Sequence, residues 1–220
     1  LRVYFKIIKK LCKQKKLFTT KVPGFSLIEL SFVMIIVGII MAGVFKGQDL
    51  LDTARLQSCV SDFNRYRLAI MAYYDQFGQL PGNDANATRR FGSTTTNGDG
   101  KGFITKAEQP LVWQHLYLAN LIDSEQTPTA RIGGTISAIT NPTAQLRGNF
   151  LILSKTPGTL APLLTPHQAM ILKSRAGETK PAAGTLQVLE GDGVSVGACV
   201  SSGEYNLSNK NPACVIAVAF

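Results

Sequence analysis

Residues 25–45 form one apolar run in which a single side chain, Glu29, ionises. Twenty-one residues at helical rise cover the roughly 30 Å of a bilayer core, so the run is long enough to span one. A carboxylate in lipid costs about a few kcal/mol unless it is paired or lies near the interface, which makes Glu29 a functional candidate. Everything else in the chain has to be arranged around this segment.

Its flanks are unlike each other. The chain of 220 residues carries a formal charge of +9, which alone would admit a nucleic-acid partner. Residues 1–24 hold Arg2, Lys6, Lys9, Lys10, Lys13, Lys15, Lys16 and Lys21 and no acid, whereas the remaining 196 residues hold 15 cations against 14 acids. The excess is therefore a property of the leader, and nucleic acid drops out as the default partner. A basic flank before an apolar span stays in the cytoplasm and sends the C-terminal part outward. Residues 1–20 have the pattern of a short basic amphipathic helix on the inner leaflet. The span is longer than the apolar core of a secretory signal, and no small-x-small cleavage site follows it. An uncleaved signal anchor is the plain alternative.

The junction reads Lys21-Val22-Pro23-Gly24-Phe25-Ser26-Leu27-Ile28-Glu29-Leu30. Gly24, an aromatic residue, Ser-Leu-Ile and a glutamate five residues past the glycine closely resemble the type IV prepilin signal, shared by pilins and the pseudopilins of type II secretion. The resemblance implies cleavage by a prepilin peptidase between Gly24 and Phe25 and N-methylation of Phe25. It also implies that Glu29 of one subunit neutralises the terminal amine of a neighbour as helices stack. Pro23 holds the approach to Gly24 extended. The local alternatives are that Gly24 only breaks the chain before a helix, and that Glu29 is satisfied by the helix dipole. Leaders of this family are often shorter than 24 residues, so the translation start stays open.

Beyond the span, Lys46-Gly47-Gln48-Asp49 marks the interface. Leu56, Val60, Phe63, Ile70, Tyr74 and Phe77 then recur at helical spacing, with Asp52, Arg55, Asp62 and Arg65 between them. No proline intervenes before Pro81, and Gly78 with Leu80-Pro81-Gly82 is a strong stop. Residues 25–78 are thus one helix, transmembrane over about 25–45; a continuous helix over 25–77 would be a rod about 80 Å long. Many pilins carry a proline late in the span, and this chain has Gly38 and Gly43 instead, each up to about 1 kcal/mol worse than alanine.

Residues 79–220 are long enough for one core. A second helix is expected over Leu111, Val112, Trp113, Leu116, Leu118 and Leu121, entered at Pro110. Strands are expected at 134–139, 150–153, 185–190 and 214–220, and a short helix from Thr165-Pro166 to Leu172. The fold class is α+β: a long N-terminal helix packed on a small globular head with an antiparallel sheet, pilin-like. Cys12 lies in the leader and Cys59 on the long helix, where it reads as a packing residue. The resemblance implies a C-terminal disulfide between Cys199 and Cys214, closing a loop of 16 residues and contributing about 3 kcal/mol. The stretches 161–187, Leu80-Pro81-Gly82-Asn83-Asp84 and Trp113-Gln114-His115-Leu116 loosely look like patterns that recur in prepilin-type proteins.

Chemistry in the head is sparse. Thr95-Thr96-Asn97-Gly98-Asp99-Gly100 echoes the first half of a calcium loop, but Lys106 stands where a bidentate glutamate is needed and Glu108 comes two residues late. Asn97, Asp99 and Glu108 are weak calcium candidates, against a plain Asn-Gly/Asp-Gly turn; no other cofactor is expected. His115 and His167 are the only histidines, and neither sits in a catalytic motif. The chain reads as no enzyme. It reads as a filament subunit, a pseudopilin or minor pilin, held singly across a bacterial inner membrane with its head in the periplasm or outside. Its partners are then the prepilin peptidase, other subunits, the inner-membrane assembly platform and the lipid bilayer, with extraction into a pilus or pseudopilus. The alternatives are a pilus-tip module gripping DNA, a surface or a secreted protein, and a plain anchored domain. Arg89, Arg90, Lys101 and Lys106 form the head's one basic patch, more often a solvated face than a DNA site.

Overall fold

The computed structural model describes Gly24 and residues 26–220. The basic N-terminal segment with its expected helix and Cys12, and Phe25, the expected methylation site, lie outside the described residues. The chain divides into two compact units, Leu1–Gly47 and Gln48–Phe220. Helix α1 (Leu27–Phe77) contributes to both.

In the first unit, α1 is apolar on every side and its large side chains are exposed, from Leu27 to Phe45. An all-round apolar helix has no soluble face to present. In the second unit the same helix is amphipathic. Leu56, Cys59, Phe63, Tyr66, Ile70 and Tyr73 step along by three and four and are buried as one stripe. Tyr74, expected on that stripe, is 52 % exposed, and Tyr73 is buried in its place. Position 73 follows 66 and 70 on the helical period, and the next residue turns about 100° away. The helix ends where the sequence says it should: Gly78 takes φ 66°, and its N–H donates to Tyr74 O at 2.7 Å.

After α1 come α2 (Ala87–Phe91), α3 (Gln109–Leu118), β1 (Thr135–Thr140), β2 (Asn149–Ser154), α4 (Pro166–Arg175), β3 (Leu186–Glu190), β4 (Val200–Ser201), β5 (Glu204–Tyr205) and β6 (Cys214–Ala219). β1-β2-β6-β3 form a four-stranded sheet, antiparallel throughout. Its register sets Ile152 opposite Ala217 and Val188 opposite Ile216. One face meets α1 and α3 through Ile136, Leu151, Leu153, Ile216 and Val188 against Phe63, Ile70, Trp113 and Leu116. The other face, Phe150, Ile152, Val215 and Ala217, lies under Leu146 and Leu160. The central strands are covered on both sides, which is why they read as unbroken apolar runs rather than alternating ones.

The α+β expectation is realised, with boundaries shifted by a few residues. α4 runs three residues past Leu172. Its start is a full capping box, in which Thr165 accepts from Gln168 N and Gln168 accepts from Thr165 N. Two elements go beyond the sequence reading: α2, and the β4–β5 hairpin, whose turn residues Ser202 and Gly203 both have positive φ. Both are too short to carry a period.

Candidate functional site: the N-terminal signal and the head's polar knot

Gly24 is exposed, and Leu30 N donates to Ser26 O at 3.1 Å as the helix begins. Glu29 stands exposed in the first turn of α1. Among the described residues no side chain pairs with it. The position one turn before it belongs to Phe25. An 18-residue window of α1 has a mean hydropathy of 2.6, so its length and composition fit a membrane crossing.

In the head, the segment after α1 folds into a buried polar knot. Asp84 Oδ2 accepts from Tyr73 OH at 2.7 Å and from Arg90 NH1, while Asp84 Oδ1 accepts from Asn86 N at 2.8 Å. Burial, then the bond to Asp84, pushes the Tyr73 hydroxyl well above its ordinary range. His115 Nδ1 accepts from Gly82 N at 2.9 Å, and Nε2 lies 3.2 Å from Thr96 O. An N–H on one side and a carbonyl on the other assign the proton to Nε2 and keep the ring neutral. Burial holds the His115 pKa below 6.5. Gly82 sits at φ 80° with its missing Cβ 2.6 Å from Val112, so only glycine brings this backbone so close to α3.

Asn83 closes the neighbouring loop. Its Nδ2 faces Asp99 Oδ1 at 2.7 Å, Phe103 O at 3.0 Å and Glu108 Oε1 at 3.1 Å, and its Oδ1 accepts from Gly102 N at 2.6 Å. Glu108 also takes the N–H groups of Asp99 and Thr105 and the Thr105 hydroxyl. Burial raises the Glu108 pKa, but these donors outweigh it and leave the carboxyl below its usual range. Lys101 holds the exposed Asp99 carboxyl down at about 2. Of the calcium candidates, Asp99 and Glu108 are brought together and Asn97 is not: its Oδ1 accepts from the N–H and hydroxyl of Thr88. The Asp99 and Glu108 oxygens that meet face the N–H donors of Asn83. Among the described residues, no group of three or more His, Cys, Asp or Glu is placed to hold a metal ion.

The family model for the prokaryotic N-terminal methylation motif matches residues 20–45. The chain carries the type IV pilin-like prepilin signal. Among curated proteins and among solved structures nothing matches this chain. The motif implies processing by a prepilin peptidase and assembly with other pilin subunits, and it is the mark of a prepilin-type protein. The α+β head and long helix give the chain a pilin-like fold.

Cys199 and Cys214 are joined, with Cα atoms 5.2 Å apart, pinning the start of the hairpin to the first residue of β6. Cys59 is free and buried in the core. His115 is likewise a core residue, whereas His167 is exposed in the first turn of α4. The basic patch expected on the head does not survive as a unit. Arg90 is consumed by Asp84 and lies over the Phe77 ring at 4.9 Å, and Lys101 pairs with Asp99 at 2.9 Å. Sequence reading places Asn83 and Asp84 in a polar loop. Their burial between α1 and α3 is a tertiary fact with no local signature.

Proposed function

We propose that this protein is a filament subunit, a pseudopilin or minor pilin, assembled through its N-terminal helix in a type II secretion or type IV pilus-like machine. The observation that carries this reading is the methylation motif at residues 20–45 with Glu29, unpaired among the described residues, in the first turn of an exposed apolar helix. After cleavage the helix stays in the inner membrane with the head on the periplasmic side. A lone carboxylate there is costly. Pairing with the terminal amine of a neighbouring subunit removes that cost, and leaving either charge unmatched is strongly destabilising. Assembly is thus driven by burying a matched pair and an apolar helix surface together.

The test is Glu29→Ala in a strain with an active prepilin peptidase. Leader cleavage, seen as a gel-mobility shift, stays near wild type, while recovery of the protein in sheared filaments falls to background. Normal incorporation of the cleaved variant would sink the assembly role.

A further inference from the structure

We propose that the pocket between α4 and the β4–β5 hairpin binds a small zwitterion with an apolar body, a free apolar amino acid or a dipeptide. The site is separate from the N-terminal signal, and the inference stands independently of the assembly proposed above. α4 turns Ala169, Leu172 and Lys173 into the core. Met170 and Ile171, on the flank beside them, are only half-buried. Glu204 and Tyr205 of β5 form the second wall with Thr179, and the space has a volume of about 570 Å³. Sites for small ligands span roughly 300–1,000 Å³, so one amino acid fits with room for a second. The hairpin wall is held in place before any ligand arrives. The Cys199–Cys214 bond ties its start to β6, Asn206 N donates to Cys199 O at 3.0 Å, and Asn206 Nδ2 donates to Gly197 O at 2.8 Å. A preformed wall spares the ligand the cost of ordering it.

Charge selects the ligand. Arg175 lines the pocket from the helix and Glu204 from the hairpin, and both side chains are exposed. They do not pair with each other, and neither enters an ion pair with any other described residue. The Tyr205 ring lines the same pocket, and its hydroxyl, shielded from water, has no hydrogen-bond partner among the described residues. Burial, then the Glu178 and Glu204 carboxylates, push that hydroxyl up to about 12, so it stays protonated. An unsatisfied buried polar atom is costly, and the wall of a pocket is where a ligand can serve it. A carboxylate on the ligand meets the Arg175 guanidinium, and an ammonium meets Glu204 and the Tyr205 oxygen. The apolar body lies on Met170, Ile171 and the Tyr205 ring. A simple acid or a simple amine would leave one of the two charges unmatched, whereas a zwitterion matches both.

The experiment is calorimetric titration of the full chain in detergent micelles, with empty micelles as the blank. The ligands are phenylalanine, leucyl-phenylalanine, phenylalaninamide, which lacks the carboxylate, and N-acetylphenylalanine, which lacks the ammonium. Phenylalanine or the dipeptide is expected to bind with a Kd of about 0.01–1 mM, and the tighter of the two names the source of the ligand. Each single-charge analogue binds at least about tenfold more weakly. Arg175→Gln lowers the affinity for phenylalanine to that for the amide and leaves the amide unaffected; Glu204→Gln does the same with the N-acetyl compound. Tyr205→Phe melts no lower than wild type, since its hydroxyl has no partner to lose, yet binds phenylalanine about fivefold more weakly. No binding of either zwitterion up to about 10 mM overturns the site. Single-charge analogues that bind as tightly as the zwitterions overturn the ligand class, as do Arg175→Gln and Glu204→Gln with wild-type selectivity. Unchanged affinity in Tyr205→Phe overturns the part given to the hydroxyl.

Discussion

His115 shows how much a single side chain depends on its surroundings. Both ring nitrogens are committed, to Gly82 N and Thr96 O, and burial lowers the pKa from its ordinary 6.5. Above pH about 6.5 the ring is neutral in both folded and unfolded chains, and its contribution to stability is intact. As the pH falls below that value, the unfolded chain takes up a proton that the native ring refuses, so stability declines until the native pKa is reached. Thermal melts from pH 7.5 to pH 5 should show a falling midpoint, and His115→Gln should flatten that slope. An unchanged slope in the variant would mean that the ring takes no part. Tyr73 and Tyr74 teach a related lesson: helical period sends these identical neighbours to different sides, and the buried one has Asp84 to receive its hydroxyl.

At the scale of elements, α4 is tied to β3 by one buried cation. Lys173 has no exposed surface. Its Nζ donates to Pro181 O at 3.2 Å, to Ala183 O and Leu186 O, and pairs with Glu178 Oε2 at 3.0 Å. Four oxygens satisfy one ammonium and fix the connection between helix and strand. Removing one partner of a buried pair strands the rest, so Lys173→Met should cost about 3–5 kcal/mol, read as a drop in the urea midpoint. That is a large share of a domain's whole stability. Lys173→Met with Glu178→Leu should recover part of the loss, because the orphaned carboxylate is gone. A single variant as stable as wild type would show that the carbonyls are equally well served by water.

The whole molecule divides its work between its two units. From Leu27 to Phe45 the large apolar side chains of α1 are exposed, whereas Gln48–Phe220 holds the sheet, the disulfide and a continuous core. A chain beginning at Gln48 should therefore stay in solution and melt in one cooperative transition, while the full chain sediments with membranes. Circular dichroism and a membrane-flotation assay check the two halves of this expectation. A truncated chain that aggregates or melts without cooperativity would make the N-terminal unit necessary to the fold of the head.

Local patterns were enough for everything that depends on neighbours in sequence. The long helix and its stop at Gly78, the capping box at Thr165, the apolar strands and the prepilin motif are written within a few residues of each position they govern. The polar knot is different. Asn83 meets Asp99 and Glu108 across 16 and 25 residues, and His115 meets Gly82 across 33, so none of these contacts has a period or a turn signal. The same holds for the dismantled basic patch, where Arg90 finds Asp84 only once α2 has folded back over α1. Hydrophobic period and chain breakers act locally and are legible in one dimension. Which polar atoms are taken out of water together is decided by packing, and only the folded head shows it.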